Sequence, residues 1–560
     1  MSGKICKKCG EKFIFTLDDK DFIKEVSPII NGITYNFVVP EICPRCKEMH
    51  RLAFRNERQL YKRKCDITGE NIISIYSPDK KYKVVSSDYW WSDKWDALIF
   101  GKDFDFEKSF FKQFGELKEN VPVASLFGSQ NENVMSNFTD SSENVYLSTG
   151  IYECKNTYYT GLSAHCNNTL DCYDCGDMEF CYRCIKSANC INCTFVDNSK
   201  ECNDCHYLFS CDGLDNCLFS VSQSNKKYLI LNKQYTKQEY EKIEEKINNN
   251  LEIKQEYIAK YKDLLNKTPR RNSYFLQCEN VSGDDIMFSK NIENGITVKH
   301  SENCKNCYVL FGVKNCREIN NMEIDSQYLY DCIGCGTLYK GAFNITCRGS
   351  KNLYYSESCY NCENCFGCTG LRDKKYCILN KQYTKQEYEE KLLEIIKYMT
   401  LKTQEWGKFF PAELSYFGYN ESAAQELYPL SKEKIQEKGF KYSNYERPIP
   451  KVEKIIEAKD LPNDINKITD SILKRAIKCE RTGKLFRIIK EELDFYRKMS
   501  ISIPRLHPDA RFNDILKDAN PRKFYDRKCA KCNKEIKSMY APNREETIYC
   551  EECYNKTTYS

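Results

Sequence analysis

The sequence predicts a mainly β chain: two lobes of β-solenoid on a twelve-residue repeat, helical caps after each lobe, and a four-cysteine module at each terminus. Three observations predict it. Written in rows of twelve, residues 142 to 237 read SENVYLSTGIYE, CKNTYYTGLSAH, CNNTLDCYDCGD and onward, with every cysteine in column one, four, seven or ten. Residues 278 to 385 keep this frame with one-residue slips near 289 and 325. Pairs spaced Cys-x2-Cys stand at both ends of the chain. A fixed short period marks stacked rows whose equivalent side chains form ladders.

Composition bounds the rest. A chain of 560 residues, 41% hydrophobic and 29% charged, is expected to fold as several domains. Its 85 basic and 80 acidic residues leave +5, too little to coat nucleic acid, so any basic surface has to be argued locally. No apolar run approaches the roughly 20 residues of a membrane span, and the start MSGKICKKCGEKF lacks the apolar core of a secretion signal. A cytoplasmic chain is expected, in which 34 cysteines serve as thiols or metal ligands rather than disulfides.

At the N-terminus Cys6 and Cys9 are followed by Cys43 and Cys46; at the C-terminus Cys529 and Cys532 are followed by Cys550 and Cys553. Two such knuckles supply four thiolates to a tetrahedral ion, so two structural zinc ions are expected, one per module. The modules also match each other. Residues 479 to 498 align without gaps on 6 to 25, and residues 523 to 542 on 59 to 78, with Cys65 falling on Cys529. In that register Thr482, His507 and Ala510 replace three ligands beside Cys479, and Thr68, Ser86 and Tyr89 replace three beside Cys65. Each copy keeps one zinc site of an inferred two, and Cys65, Cys479 and His507 are left off the ligand list. Structural zinc contributes roughly 10 to 16 kcal/mol in finger peptides, enough to fold modules this polar.

In the lobes, Asn or Asp fills the third column in six of eight rows, and the core columns hold mostly Cys, Ser, Thr, Val, Ile and Leu. Twelve cysteines lie in each lobe. Rows about 4.8 Å apart bring thiols such as Cys181, Cys193, Cys205 and Cys217 together as a buried ladder, as metal ligands or as disulfides. The run from Cys359 to Cys368 resembles a bacterial ferredoxin motif, but that motif ends in Cys-Pro and here Thr369 follows. Whether one row is a whole coil is not set by the period. Thr236 with Glu239, and Thr384 with Glu387, predict capping boxes for helices over 236 to 265 and 384 to 399 that close the lobes. Residues 442 to 462, with Pro448, Pro450 and Pro462, read as a linker. The expected domains are 1–125, a zinc module with an aromatic segment; 131–235, the first lobe; 236–270, a capping helix and linker; 278–383, the second lobe; 384–465, a helical cap and linker; and 466–560, the second zinc module.

Three surfaces are candidates for binding. If residues 47 to 64 are helical, Arg51, Arg55, Arg58 and Lys62 share a basic face suited to phosphates of RNA; the plain alternative is a solvated helix with Glu48 and Glu57 as partners. The stretch 88 to 114, rich in Trp and Phe, is either a base-stacking platform or core joining the first zinc module to the first lobe. Tyr146, Tyr158, Tyr159, Tyr182, Phe195, Tyr207 and Phe219 form either an outer stripe or core. His206 beside Cys205 is a candidate pair but reads more simply as a ladder residue. No phosphate loop, dinucleotide fingerprint, HExxH or GxSxG motif is present.

The pattern CxxCGxxFxF with a later CPxC and basic residues, over 5 to 53, resembles the probable zinc-ribbon domain family. Segments such as RNERQLYKRKCDITGENIISIYSP, YWWSDKWD and FFPAELSYFGYNESAAQELYPL are similar to long cysteine-rich proteins of candidate-phyla bacteria. The resemblance spans nearly the whole chain, implies a zinc ribbon, and brings no activity with it. The reading is a zinc-stabilised, non-enzymatic scaffold whose terminal modules lie at the ends or pair with each other, with RNA, the ribosome or another protein as partner. The alternative is a metal-storage or redox protein using the cysteine ladders.

Overall fold

The computed structural model describes residues 2–323, 326–448, 452, 454–520 and 522–558. Its backbone is mainly strand, dominated by a 12-stranded sheet within the first lobe and a 13-stranded sheet within the second. Both are built from parallel neighbours at a register of twelve. Lys155 pairs with Asn167 and Tyr158 with Leu170, while Gly161 pairs with Tyr173 and Ala164 with Gly176. Every third residue thus meets the residue twelve on, and the chain returns alongside itself once per row.

Along the rows every third residue is left-handed. From Glu153 to Ser210 the positive-φ positions recur at steps of three, and the Asn and Asp of column three, such as Asn156, Asn168, Asn192 and Asp204, are among them. Asn and Asp tolerate this conformation best, which accounts for their column. The residue after each left-handed corner points inward, and these are the cysteine columns. The slips are real features of the ladder: the first rows pair eleven apart (Glu132 with Glu143, Glu279 with Lys290), and Cys316 pairs with Leu329, thirteen on. Residues 324 and 325, at the second slip, lie outside the described residues.

Inside the lobes the thiols are hydrogen-bond donors. Cys193 Sγ donates to the carbonyl of Ile191 at 3.3 Å and that of Cys202 at 3.5 Å, and Ser187 Oγ, at an equivalent position, to Ile185 at 3.0 Å and Val196 at 2.9 Å. The i−2 and i+9 carbonyls recur as acceptors along both lobes. Small polar side chains here satisfy inward backbone groups that water cannot reach. The lobe cysteines are free thiols and buried, apart from half-buried Cys278. Burial pushes the Cys211 and Cys307 thiols up to about 12.

Both capping boxes form, on Lys237–Asn249 and Lys385–Leu401. The first expected helix is two, because Asn250 breaks it and caps Leu251–Lys267 with its own side chain. The expected linker is partly a strand: Lys454–Glu457 pairs in parallel with Arg475–Lys478, while 449 to 451 and 453, with Pro450, lie outside the described residues.

The chain divides into two compact units: 1–125 with 273–445, and 126–272 with 446–560. This differs from the consecutive domains expected. Within a unit each terminal module has a lobe, not the other terminal module, as its partner, and the first module goes with the second lobe. The aromatic stretch accordingly joins the first module to the second lobe, not to the first. Trp90 meets Tyr360 at 5.5 Å, Phe110 meets Phe366 at 5.0 Å, and Glu405 caps the helix Phe110–Asn120 through Phe110 N at 2.9 Å. In the other unit the tyrosine stripe faces outward from its rows but is covered. Tyr158, Tyr159, Tyr182 and Phe195 lie under the cluster of Leu493, Tyr496 and Ile488, and Phe195, Tyr207 and Phe219 stack in register, the last two against Tyr261.

Candidate metal centres and the knuckles that lost theirs

Two groups of four cysteines bring their sulfurs within 4.8 Å of one another: Cys6, Cys9, Cys43 and Cys46, and Cys529, Cys532, Cys550 and Cys553. They are the two sets read from the sequence. A turn closed by Gly10 N to the Cys6 carbonyl at 2.9 Å forms the first knuckle, and the left-handed Gly10 (φ 73°) permits it. Cys43 then caps the helix Pro44–Leu52, which carries Cys46 one turn on. Cys9 Sγ is 3.7 Å from Cys43 Sγ, and Cys532 Sγ is 3.7 Å from Cys550 Sγ.

In each group one thiol is held down while its neighbours, Cys9 and Cys46 in the first and Cys550 and Cys553 in the second, are pushed up by burial and by the thiols beside them. The hydrogen bond from Cys46 holds the Cys43 thiol down to about 5. Burial works against Cys529, but the N–H groups of Cys550, Cys532 and Lys531 outweigh it and bring that thiol to about 6. Backbone N–H groups reach the sulfurs directly, Cys43 N to Cys6 Sγ at 3.3 Å and Cys550 N to Cys529 Sγ at 3.2 Å. Four soft sulfur donors with no open position fit a tetrahedral structural ion.

The same knuckle fold occurs twice more without the ligands. Cys65 N donates to the Glu70 carbonyl and Cys479 N to that of Lys484, as Cys6 N does to Glu11 and Cys529 N to Lys534, all at 2.8 to 3.0 Å. Gly69, Gly483 and Asn533 repeat the left-handed Gly10. The residue after the first cysteine then bonds two residues before the third ligand position: Lys7 to Glu41, Ala530 to Ile548, Asp66 to Val84, and Glu480 to Arg505. Ser86 and His507 therefore stand where Cys43 and Cys550 stand. Each now caps the following helix with its side chain, Ser86 accepting from Tyr89 N and His507 from Asp509 N. A capping hydrogen bond stands at that helix start where the four-cysteine modules have a sulfur.

The expected basic face is not formed. The helix stops at Leu52, Arg55 and Arg58 lie beyond it, and exposed Lys62 sits on the strand Tyr61–Lys64. Arg51, Arg55 and Arg58 are 1%, 4% and 7% exposed. The physical reason is pairing: Arg51 pairs with Asp331 and donates to Asn320 Oδ1 at 3.1 Å, and Arg55 pairs with Glu57 at 2.8 Å. These arginines bind the second lobe and their own loop, and offer no guanidinium face to phosphates.

Sequence reasoning missed the cation beside them. Lys47 Nζ lies 2.6 Å from Glu318 and 2.8 Å from the Tyr330 hydroxyl, buried in the first unit. Burial alone would lower its ammonium, but Glu318, Tyr330 and Asp331 raise it. In the register that sets Cys43 on His507, Lys47 falls on Arg511, which in the other unit lies 3.2 Å from Asp171, also buried. Asp19 and Glu492 repeat the pattern from the preceding helices, Asp19 to Lys305 at 3.1 Å and Glu492 to the Tyr159 hydroxyl at 3.1 Å. The signal was present as a shared cation between two aligned segments. His206, for its part, is half-buried and its Nδ1 lies 2.9 Å from Thr194 Oγ1, not against Cys205.

No helix of the described residues is long and apolar enough to cross a membrane. No family model matches the chain, and no curated protein matches it.

Proposed function

We propose that the chain is a zinc-stabilised, non-enzymatic scaffold: two β-solenoid lobes, each presenting an outer face on which a terminal zinc-ribbon module is docked. The observation that carries this is the pair of closed four-sulfur sites, one in each terminal module, on knuckles whose neighbouring helices hold a lobe through buried charge. Closed sites of this kind stabilise a fold and leave no position for substrate. The outer surface of a stacked array is what such proteins offer to macromolecular partners. Elemental analysis of the purified full chain tests the reading. Two zinc ions per chain are expected, falling to one in Cys43→Ser and one in Cys550→Ser. Many more metal ions, or iron with visible absorbance, would overturn it in favour of storage or redox chemistry in the thiol ladders.

A further inference from the structure

In the first unit a cleft of about 530 Å³ lies between the helix Leu17–Val26 and the second lobe. That is within the roughly 300 to 1,000 Å³ of small-ligand sites. Asn280, Asn291, Asn303 and Asn315 form its floor, each at a left-handed corner. Their amides are joined head to tail, each Nδ2 donating to the Oδ1 of the next row at 3.0, 2.9 and 3.0 Å. An amide has two N–H donors and two oxygen lone pairs, so the ladder leaves one of each open on its inner rows. At its ends, among the described residues, Asn280 Oδ1 accepts from nothing and Asn315 Nδ2 donates to nothing.

Beside the amides run Ser282, Glu293, Lys305 and Arg317, and Asp18, Asp21 and Glu25 line the cleft from one side of the helix. Both cations are already held. Lys305 lies 3.1 Å from Asp19 and 3.1 Å from Glu293, and Arg317 lies 2.7 Å from Asp18. The fold does not require this polar column, and the chain holds its own control. Two residues after the matching asparagines the first lobe carries Met135, Tyr146, Tyr158 and Leu170. Of these, Tyr146, Tyr158 and Leu170 pack into the apolar cluster of Leu493 and Tyr496.

We infer that the cleft binds a neutral, extended, β-linked oligosaccharide. Its floor repeats a donor and an acceptor on successive rows about 4.8 Å apart, over a length of roughly 14 Å. A β-1,4-linked sugar chain advances by a similar step, and its hydroxyls both donate to carboxylates and accept from amides. An extended peptide advances only about 3.3 Å per residue and falls out of step. Charge makes the same selection. A polyanion would meet Asp21 and Glu25, and a polycation would meet Lys305 and Arg317, whereas a neutral ligand uses groups of both signs as hydrogen-bond partners. The inference rests on the scaffold reading and adds a ligand to it.

Calorimetric titration of the full chain with cellotetraose and with N-acetylchitotetraose tests it, with zinc measured in the same samples. At least one tetrasaccharide should bind, and more tightly than spermidine or tetralysine. Glu293→Tyr, which puts the first lobe's residue into the cleft, should abolish that binding while retaining the metal. Asp21→Ala, on an exposed position of the helix, removes one acceptor and should weaken binding about fivefold. A chain holding two zinc ions that binds neither tetrasaccharide, or that binds spermidine or tetralysine more tightly, overturns the saccharide site and leaves the scaffold reading standing. Either variant binding as well as the wild type does the same. A wild-type chain without those zinc ions overturns the scaffold reading itself.

Discussion

Lys47 and Glu318 meet at 2.6 Å with side-chain exposures of 3% and 12%, so neither charge has water to fall back on. Removing one member of such a pair strands the other and costs roughly 3 to 5 kcal/mol, whereas replacing both by apolar groups is nearly neutral. Glu318→Gln should therefore lower the denaturant midpoint of the first unit sharply, and Lys47→Met/Glu318→Leu should recover most of the loss; a double-mutant cycle checks this. Asp197 is the opposite case. Its Oδ1 is buried and finds no hydrogen-bond partner among the described residues, and burial, with Asp518 nearby, raises its carboxyl to about 7. The folded pKa lies above the unfolded value, so its contribution is fully present below pH 4 and is lost as pH rises through 7. The loss is roughly 2 to 4 kcal/mol. Asp197→Asn should raise stability at pH 8 and leave it unchanged at pH 4, as denaturant unfolding at the two pH values will show.

At the scale of the element, the row of twelve uses cysteine as a small side chain with a donor. Cys193 and Ser187 bond the same i−2 and i+9 carbonyls, so Cys193→Ser should cost no more than about 1 kcal/mol and leave the metal content at two per chain. A larger loss in thermal unfolding, or a loss of metal, would show that the sulfur does more than donate. This economy explains what could be read from the sequence. The inward columns were legible because only small residues fit there, and the Asn and Asp column because it marks left-handed corners. The corners held by Tyr159, Arg183 and Tyr207 were not legible, since bulky residues carry no left-handed preference and are held there by the ladder. The four knuckles were legible in register, down to Ser86 and His507 at ligand positions. The basic face over 47 to 64 was misjudged because the helix ends at Leu52 and Arg51 pairs inward with Asp331, far off in sequence, while Glu57, which takes Arg55, was legible as a local partner.

At the scale of the molecule, each unit repeats one plan across a long separation in sequence. A helix from a terminal module brings a buried cation to a carboxylate at a left-handed corner of a lobe: Lys47 to Glu318 in one unit, Arg511 to Asp171 in the other. No sequence pattern announced that 1–125 belongs with 273–445 and 446–560 with 126–272, because such pairing is written only in side chains that meet after folding. The covering of the tyrosine stripe gives this arrangement a consequence. Tyr158, Tyr159, Leu170 and Tyr182 are buried only because residues 458 to 510 lie over them, so removing 446 to 560 leaves an apolar face on the first lobe that water must wet. The second lobe keeps its own cover, with Phe110, Phe114 and Trp406 still packed on Tyr355 and Phe366. Hydrogen exchange on a chain ending at residue 445 should therefore show faster exchange over residues 155 to 185 and unchanged protection over residues 327 to 378. Equal loss of protection in both lobes, or none in the first, would refute the crosswise pairing, because only that pairing ties the C-terminal module to the lobe farther from it in sequence.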